Sequence, residues 1–157
     1  MKKYLGAIEW FVLCIWIGGS WVVSFWIIPQ AFSILPKPLS GEFTASLFPV
    51  YFAMQAIGFL TVASIHARNG PLMAKTAQAK TITLALMGLA LALNLFIAAP
   101  QTNQTIKKLK TAHPKNLVAE QKHFRKWHGI SMAANLVVLL ASLPLILLTW
   151  QNGARVR

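Results

Sequence analysis

The sequence predicts an all-α integral membrane protein, a four-helix transmembrane bundle in a single domain covering residues 1–157. Apolar residues make up 56% of the chain and charged residues only 11%, whereas soluble domains carry about 25% charged residues. Four runs contain no Asp, Glu, Lys or Arg, and they cover residues 10–36, 43–67, 81–106 and 127–154. Each run exceeds the roughly 20 residues that one transmembrane helix needs. Their continuous Leu, Ala and Ile content excludes the alternating strands of a membrane barrel.

The first half of the chain is predicted to cross the membrane twice. The first span covers about residues 5–28 and ends at Pro29, because proline cannot continue the helical hydrogen-bond pattern. Residues 35–38 are predicted to form a stiff extended turn, since a residue before proline avoids the helical conformation. The second span covers about residues 46–65, and Pro49 lies in its first turn or just before it, where the missing N–H costs little.

The second half is predicted to cross twice more. A turn at Gly70-Pro71 leads towards the third span. That span covers about residues 80–99, and Pro100 follows it. The fourth span covers about residues 129–150 and ends in a short basic tail.

The longest connection, residues 101–126, carries seven Lys and Arg and is divided by Pro114. Apolar residues share one helical face on each side of this proline, such as Ile106 with Leu109 before it and Leu117 with Phe124 after it. This pattern predicts two short basic amphipathic helices at the membrane surface, the second running into the fourth span. An ordinary solvated linker is the alternative.

The charge balance favours anionic lipid headgroups in the bilayer as the partner. The chain has fifteen Lys and Arg but only Glu9, Glu42 and Glu120 as acids, for a net charge of +12. The cations lie between apolar runs, which is the pattern of lipid contact and argues against nucleic acid. Four crossings place seven cations on one side and eight on the other, so the positive-inside rule assigns no orientation.

Polar residues inside the predicted spans are the candidate functional residues, because a polar group in a bilayer is costly. Glu9 at its depth needs a partner or water, unless its carboxylate extends outward to the interface. Gln55, Asn94 and Asn135 lie within the second, third and fourth spans. Intramembrane amides of this kind tie helices together, and contact with a substrate is the alternative.

Histidines provide the candidate ligands for a metal or haem. His128 and Met132 are four residues apart and share one helix face, and an imidazole with a thioether suits copper(I). His128 with His66 would instead bind haem. Metal sites use three or four ligands, which is more than these pairs provide, so the sequence predicts no cofactor. Binding of haem or copper is the alternative prediction. No catalytic motif is present, the chain has no aspartate, and no catalytic residue is predicted.

Several blocks of the sequence, in this order and spacing, resemble the transmembrane protein 205-like family, also called domain of unknown function 4149. The blocks are Leu47-Phe48-Pro49-Val50-Tyr51-Phe52 in the second span, Asn94 with Pro100 and Thr102 around the end of the third, and Phe124 to Met132 followed by Asn135 at the fourth. The positions that match the family pattern are Phe48, Pro49, Tyr51, Asn94, Pro100, Thr102, His128, Gly129 and Asn135. The resemblance implies a four-span membrane protein without a settled activity, and a eukaryotic member is linked to resistance to platinum drugs. It also implies a bacterial inner-membrane location for a chain with this short loop.

Three functions are consistent with these observations. The first is a non-enzymatic protein that binds or moves a small solute or metal, or is linked to stress or drug resistance. A chain this small would need a homo-oligomer for transport. The second is a haem- or copper-binding redox protein using His128. The third is an assembly or scaffold protein whose polar residues only hold helices together.

Overall fold

The computed structural model describes residues 2–68, 75–111 and 116–154, and these residues are almost entirely helical. The predicted turn at Gly70-Pro71 and the dividing Pro114 lie outside them. The α-helices are α1 (Lys2–Val22), α2 (Ile28–Ile34), α3 (Lys37–Arg68), α4 (Lys75–Leu93), α5 (Ala99–Thr111) and α6 (Leu117–Ala154), with π-helical turns at Val23–Ile27 and Asn94–Ala98. The all-α fold class is confirmed.

Four continuous helical stretches are long and apolar enough to cross a membrane. They are span 1 (Tyr4–Ile34), span 2 (Lys37–Arg68), span 3 (Lys75–Leu109) and span 4 (Leu117–Gln151). Large apolar side chains such as Phe11, Trp26, Leu89, Phe96 and Leu147 are mostly exposed. An apolar surface of this extent requires lipid rather than water as its solvent. The chain is therefore a multi-pass membrane protein.

Two prolines predicted to stand at the ends of spans lie instead inside continuous helices. Span 1 continues through Pro29 into α2, and span 3 continues through Pro100 into α5. A π-helical turn precedes each proline by one residue. The N–H of Ile28 donates to the Val23 carbonyl, and the N–H of Ala99 donates to the Asn94 carbonyl. The wider turn accommodates the proline ring and redirects the carbonyls that would otherwise lack a partner, so the helix does not end.

The second span also begins earlier than predicted. Leu35 is extended, with φ −93° and ψ 146°, as the proline-rich turn requires. Helix α3 starts directly afterwards at Lys37, and the Ser40 N–H donates to the Pro36 carbonyl at 3.0 Å. The prediction that Pro49 stands at the helix start is therefore wrong, because it lies in the interior of α3. An isolated proline is tolerated in a membrane helix, where neighbouring groups satisfy the freed carbonyl.

The basic connection is helical on both of its described sides. Its first part is not a separate helix, because α5 continues from α4 through the π-helical turn without a break and belongs to span 3. Its second part begins α6 at Leu117 and runs into the fourth span without interruption. The connection therefore extends two membrane helices at their ends.

The chain forms two compact units. Unit 1 comprises Met1–Leu84 and Ser142–Arg157, and unit 2 comprises Ala85–Ala141. The core of unit 1 includes the buried residues Leu13, Trp16, Ile17, Tyr51, Val62 and Leu145, and that of unit 2 includes Met87, Leu91, Ala98, Ala134 and Val138.

Candidate functional site

A buried ion pair joins two membrane helices of unit 1. The Lys80 ammonium on α4 donates to Oε1 of Glu9 on α1. Glu9 is only 5% exposed and Lys80 only 3%, so both charges are withdrawn from water and lipid headgroups. Burying either charge alone would cost several kcal/mol, so each charge depends on the other for compensation.

The interpretation that the Glu9 carboxylate extends to the interface is therefore wrong. The helix bounds of the structure explain the pair, because Glu9 lies five residues after the start of span 1 at Tyr4 and Lys80 lies five residues after the start of span 3 at Lys75. Spans 1 and 3 of a four-span protein begin on the same side of the membrane. At a rise of 1.5 Å per residue both charges lie about 8 Å from the start of their spans, and opposite charges at equal depth are natural partners.

A histidine from a third helix lies beside the ion pair. Nε2 of His66 on α3 is 2.9 Å from Oγ1 of Thr81, the residue after Lys80. The single hydroxyl proton of Thr81 is donated to the Ala77 carbonyl at 2.9 Å. The imidazole then donates from Nε2, and in the neutral ring this leaves Nδ1 as an acceptor. The ring also interacts electrostatically with both Lys80 and Glu9, so α1, α3 and α4 each contribute a polar group here.

A second polar network fills the contact between α1 and α3. The Trp16 indole N–H donates to Oε1 of Gln55 at 2.5 Å, and the Gln55 amide donates to the Tyr51 hydroxyl at 2.8 Å. The Tyr51 hydroxyl lies 3.3 Å from Oγ of Ser24, which belongs to the first π-helical turn. Trp16, Gln55 and Tyr51 are all buried. Gln55 is thus a junction between two helices, which agrees with the helix-tying interpretation of this amide, and the structure identifies Trp16 and Tyr51 as its partners.

Unit 2 contains a reciprocal hydrogen-bond pair around Asn94. The Asn94 amide nitrogen donates to the Ser131 carbonyl at 3.2 Å, and the Ser131 hydroxyl donates to Oδ1 of Asn94 at 2.6 Å. Asn94 is 2% exposed and opens the second π-helical turn. This geometry ties span 3 to span 4, and it supports the helix-tying interpretation of Asn94. Asn135 is half-buried on the same helix as Ser131.

Replacing Asn94 by Leu should weaken unit 2, because the substitution removes both hydrogen bonds and leaves the Ser131 hydroxyl without its acceptor. We expect the free energy of unfolding to fall by about 1–2 kcal/mol. Equilibrium unfolding in mixed micelles with sodium dodecyl sulphate measures the change. Asn103→Leu is the matched control, since Asn103 is exposed on α5. Equal losses in the two variants would contradict the tie.

The histidines proposed as ligands have other neighbours. His128 stacks on Phe124 with ring centroids 5.3 Å apart and planes 10° apart, while Met132 is 59% exposed. His66 belongs to unit 1 and His128 to unit 2. Among the described residues, no group of three or more His, Cys, Asp or Glu is arranged to hold a metal ion. Haem or copper binding through His128 stays a prediction.

The residues that match the family pattern differ in how deeply they are buried. Tyr51, Asn94 and Thr102 are buried, and Thr102 donates at 2.8 Å to the carbonyl of Ala98, the last residue of the π-helical turn. Phe48 stacks on Phe52 with centroids 5.7 Å apart. The remaining exposed positions include Pro49, Pro100 and Gly129. The buried matches serve helix contacts and the π-helical turn, which are structural features of the fold.

Comparison with known proteins places the chain in a family. A family model described as a domain of unknown function, DUF4149, matches residues 11–111, which is more than half of the chain. An uncharacterized protein of Aquifex aeolicus (strain VF5) is 27% identical over 137 residues, covering 87% of this chain and 90% of that protein. No solved structure matches. The closer resemblance to transmembrane protein 205-like proteins stays a prediction. The match to the family model shows that the chain belongs to the DUF4149 family.

Proposed function

We propose that this protein is a non-enzymatic inner-membrane protein of bacteria that binds and moves a small charged solute, a metal ion included. The observation that carries the proposal is the buried Glu9–Lys80 pair. Ionisable residues within membrane spans mark substrate and ion pathways more often than they add stability. The bacterial origin of the similar Aquifex aeolicus protein supports the location.

The ion pair suits exchange of partners. A small cation would replace Lys80 at the Glu9 carboxylate, and a small anion would replace Glu9 at the Lys80 ammonium. A zwitterion would engage both. His66 lies beside the pair and presents Nδ1 as a further acceptor.

The test separates a solute site from a structural ion pair. The double variant Glu9→Gln/Lys80→Met removes both charges and leaves no unpaired one, so it should stay folded. We expect glycine, acetate, methylammonium or a divalent metal to raise the melting temperature of the wild-type protein in detergent. The double variant should lose that response and the uptake of the same solute into vesicles.

The control variant is Glu42→Gln/Lys37→Gln, which removes one charge of each sign at exposed positions of α3. It should respond to the solute as the wild-type protein does. A double variant that binds and transports normally would contradict the proposal. Absence of any response or uptake in the wild-type protein across this panel would contradict it as well.

An assembly or scaffold role is the second candidate, and the interhelical hydrogen bonds of Gln55 and Asn94 favour it. Both residues hold helix pairs together without any ligand. In that case Glu9→Gln/Lys80→Met would leave every solute measurement unchanged. The yield of a homo-oligomer or of a partner complex would instead fall in Asn94→Leu.

A further inference from the structure

An open groove of about 400 Å³ runs along the contact between α1 and α3 in unit 1. Its volume lies within the range of small-molecule sites. The lining is largely aliphatic and has one cation, and its residues are Leu5, Ile8, Leu60, Thr61, Ser64, Ile65 and Arg68. None of these residues belongs to the ion pair or to the Trp16–Gln55 network.

The polarity of the groove changes along its length. Arg68 is exposed and is the last residue of span 2, so it lies at the membrane-surface end. Leu60 lies eight residues earlier, about 12 Å deeper at the helical rise. Thr61 presents no unsatisfied group at that depth, because its hydroxyl donates to the Ile57 carbonyl of its own helix at 2.8 Å. The deep end is therefore apolar and the shallow end is cationic.

We propose that this groove holds one anionic phospholipid, with the headgroup phosphate on Arg68 and an acyl chain along Ile8 and Leu60. A guanidinium forms paired hydrogen bonds with a phosphate, and basic pockets at the ends of membrane helices bind anionic headgroups. Ser64 stands one helical turn before Arg68 and presents a hydroxyl to the same headgroup. The groove thus matches an amphiphile in charge, in polarity gradient and in position.

The experiment uses the full chain purified in detergent and supplied with an equimolar mixture of phosphatidylglycerol and phosphatidylcholine with identical acyl chains. Native mass spectrometry then counts the lipids that each variant retains. We expect the wild-type protein to retain one phosphatidylglycerol preferentially. Arg68→Gln should weaken that binding about five-fold, which corresponds to one cation–headgroup contact.

Two further variants make the test specific. Lys37→Gln removes an exposed cation at the opposite end of the same helix, and it should leave lipid retention unchanged. Leu60→Trp places a bulky ring at the deep end of the groove at a position that is 60% exposed, so the fold tolerates it. Because this ring would block the acyl chain, phosphatidylglycerol retention should fall although Arg68 is intact.

Four outcomes would overturn the proposal. Equal retention of the two lipids by the wild-type protein would show that the groove has no headgroup preference. An effect of Lys37→Gln as large as that of Arg68→Gln would show that lipid retention depends only on the net charge of the protein and not on this groove. Full displacement of phosphatidylglycerol by soluble glycerol phosphate would show that the ligand is a free phosphate. Unchanged phosphatidylglycerol retention in Leu60→Trp would show that no acyl chain lies in the groove.

Discussion

Replacing Lys80 by Met should lower the free energy of unfolding by about 3–5 kcal/mol, because it leaves the buried Glu9 carboxylate without its counter-charge. Glu9→Gln should have a loss of similar size, since it leaves the Lys80 ammonium unpaired. Both side chains are at least nine-tenths buried, so neither has water to restore its solvation. Unfolding in mixed micelles followed by circular dichroism measures the losses.

The double variant Glu9→Gln/Lys80→Met is expected to recover most of this stability. Removing both charges also removes the cost of desolvating them, and exchange of a buried ion pair for neutral groups is often neutral in stability. The two single losses would then be strongly non-additive. Additive losses in the double variant would show that the two side chains do not interact, and that result would contradict the site on which the proposed function rests.

Gly58→Ala should also lower the free energy of unfolding strongly, because the two helices of the Trp16–Gln55 network touch at this glycine. A Cβ atom there would lie 2.4 Å from Cγ of Trp16 and 2.6 Å from its Cβ. Both atoms lie close to the Trp16 backbone, so a rotamer change cannot move them far enough. Overpacking of this kind costs about 1–3 kcal/mol. Displacement of the indole adds the loss of its hydrogen bond to Gln55, about 1 kcal/mol more.

Gly41→Ala is the matched control, since Gly41 is on the same helix and no atom lies within 4 Å of its added Cβ. It should cause no loss of stability. The loss in Gly58→Ala should also shrink when Trp16 is first replaced by Gly, because that substitution removes both of the contacting Trp16 atoms. A Gly58→Ala variant as stable as the wild-type protein would contradict the close approach of α1 and α3.

The number of crossings follows from the sequence because each apolar run is long enough for one span and is bounded by charge. Helix ends were less predictable. Pro29 and Pro100 normally indicate a helix end in water, whereas both lie behind π-helical turns in continuous helices. Lipid offers no hydrogen bonds to a broken helix, so the backbone widens its pattern instead of ending it. The periodicity of side chains in the sequence does not reveal where such a π-helical turn forms.

The candidate site was predictable only in part. Glu9 stood out because an acid within a predicted span needs a partner. Its partner Lys80 stands at the start of the predicted third span, where a cation normally marks a boundary, and the equal depth of the two residues appears only with the helix bounds of the structure. Asn94 and Gln55 were recognised as polar residues within spans, but their partners Ser131 and Trp16 carried no comparable signal.

The sequence by itself determined the solvent, the secondary structure and the number of crossings, because these depend on composition and on the length of apolar runs. It also determined which side chains would be costly to bury, since that cost belongs to each residue type. Only the tertiary structure decided which groups neutralise one another. The Glu9–Lys80 contact joins residues 71 positions apart, and the Trp16–Gln55 contact joins residues 39 positions apart. Contacts of this range depend on how the helices pack, and that packing is a property of all the facing side chains together.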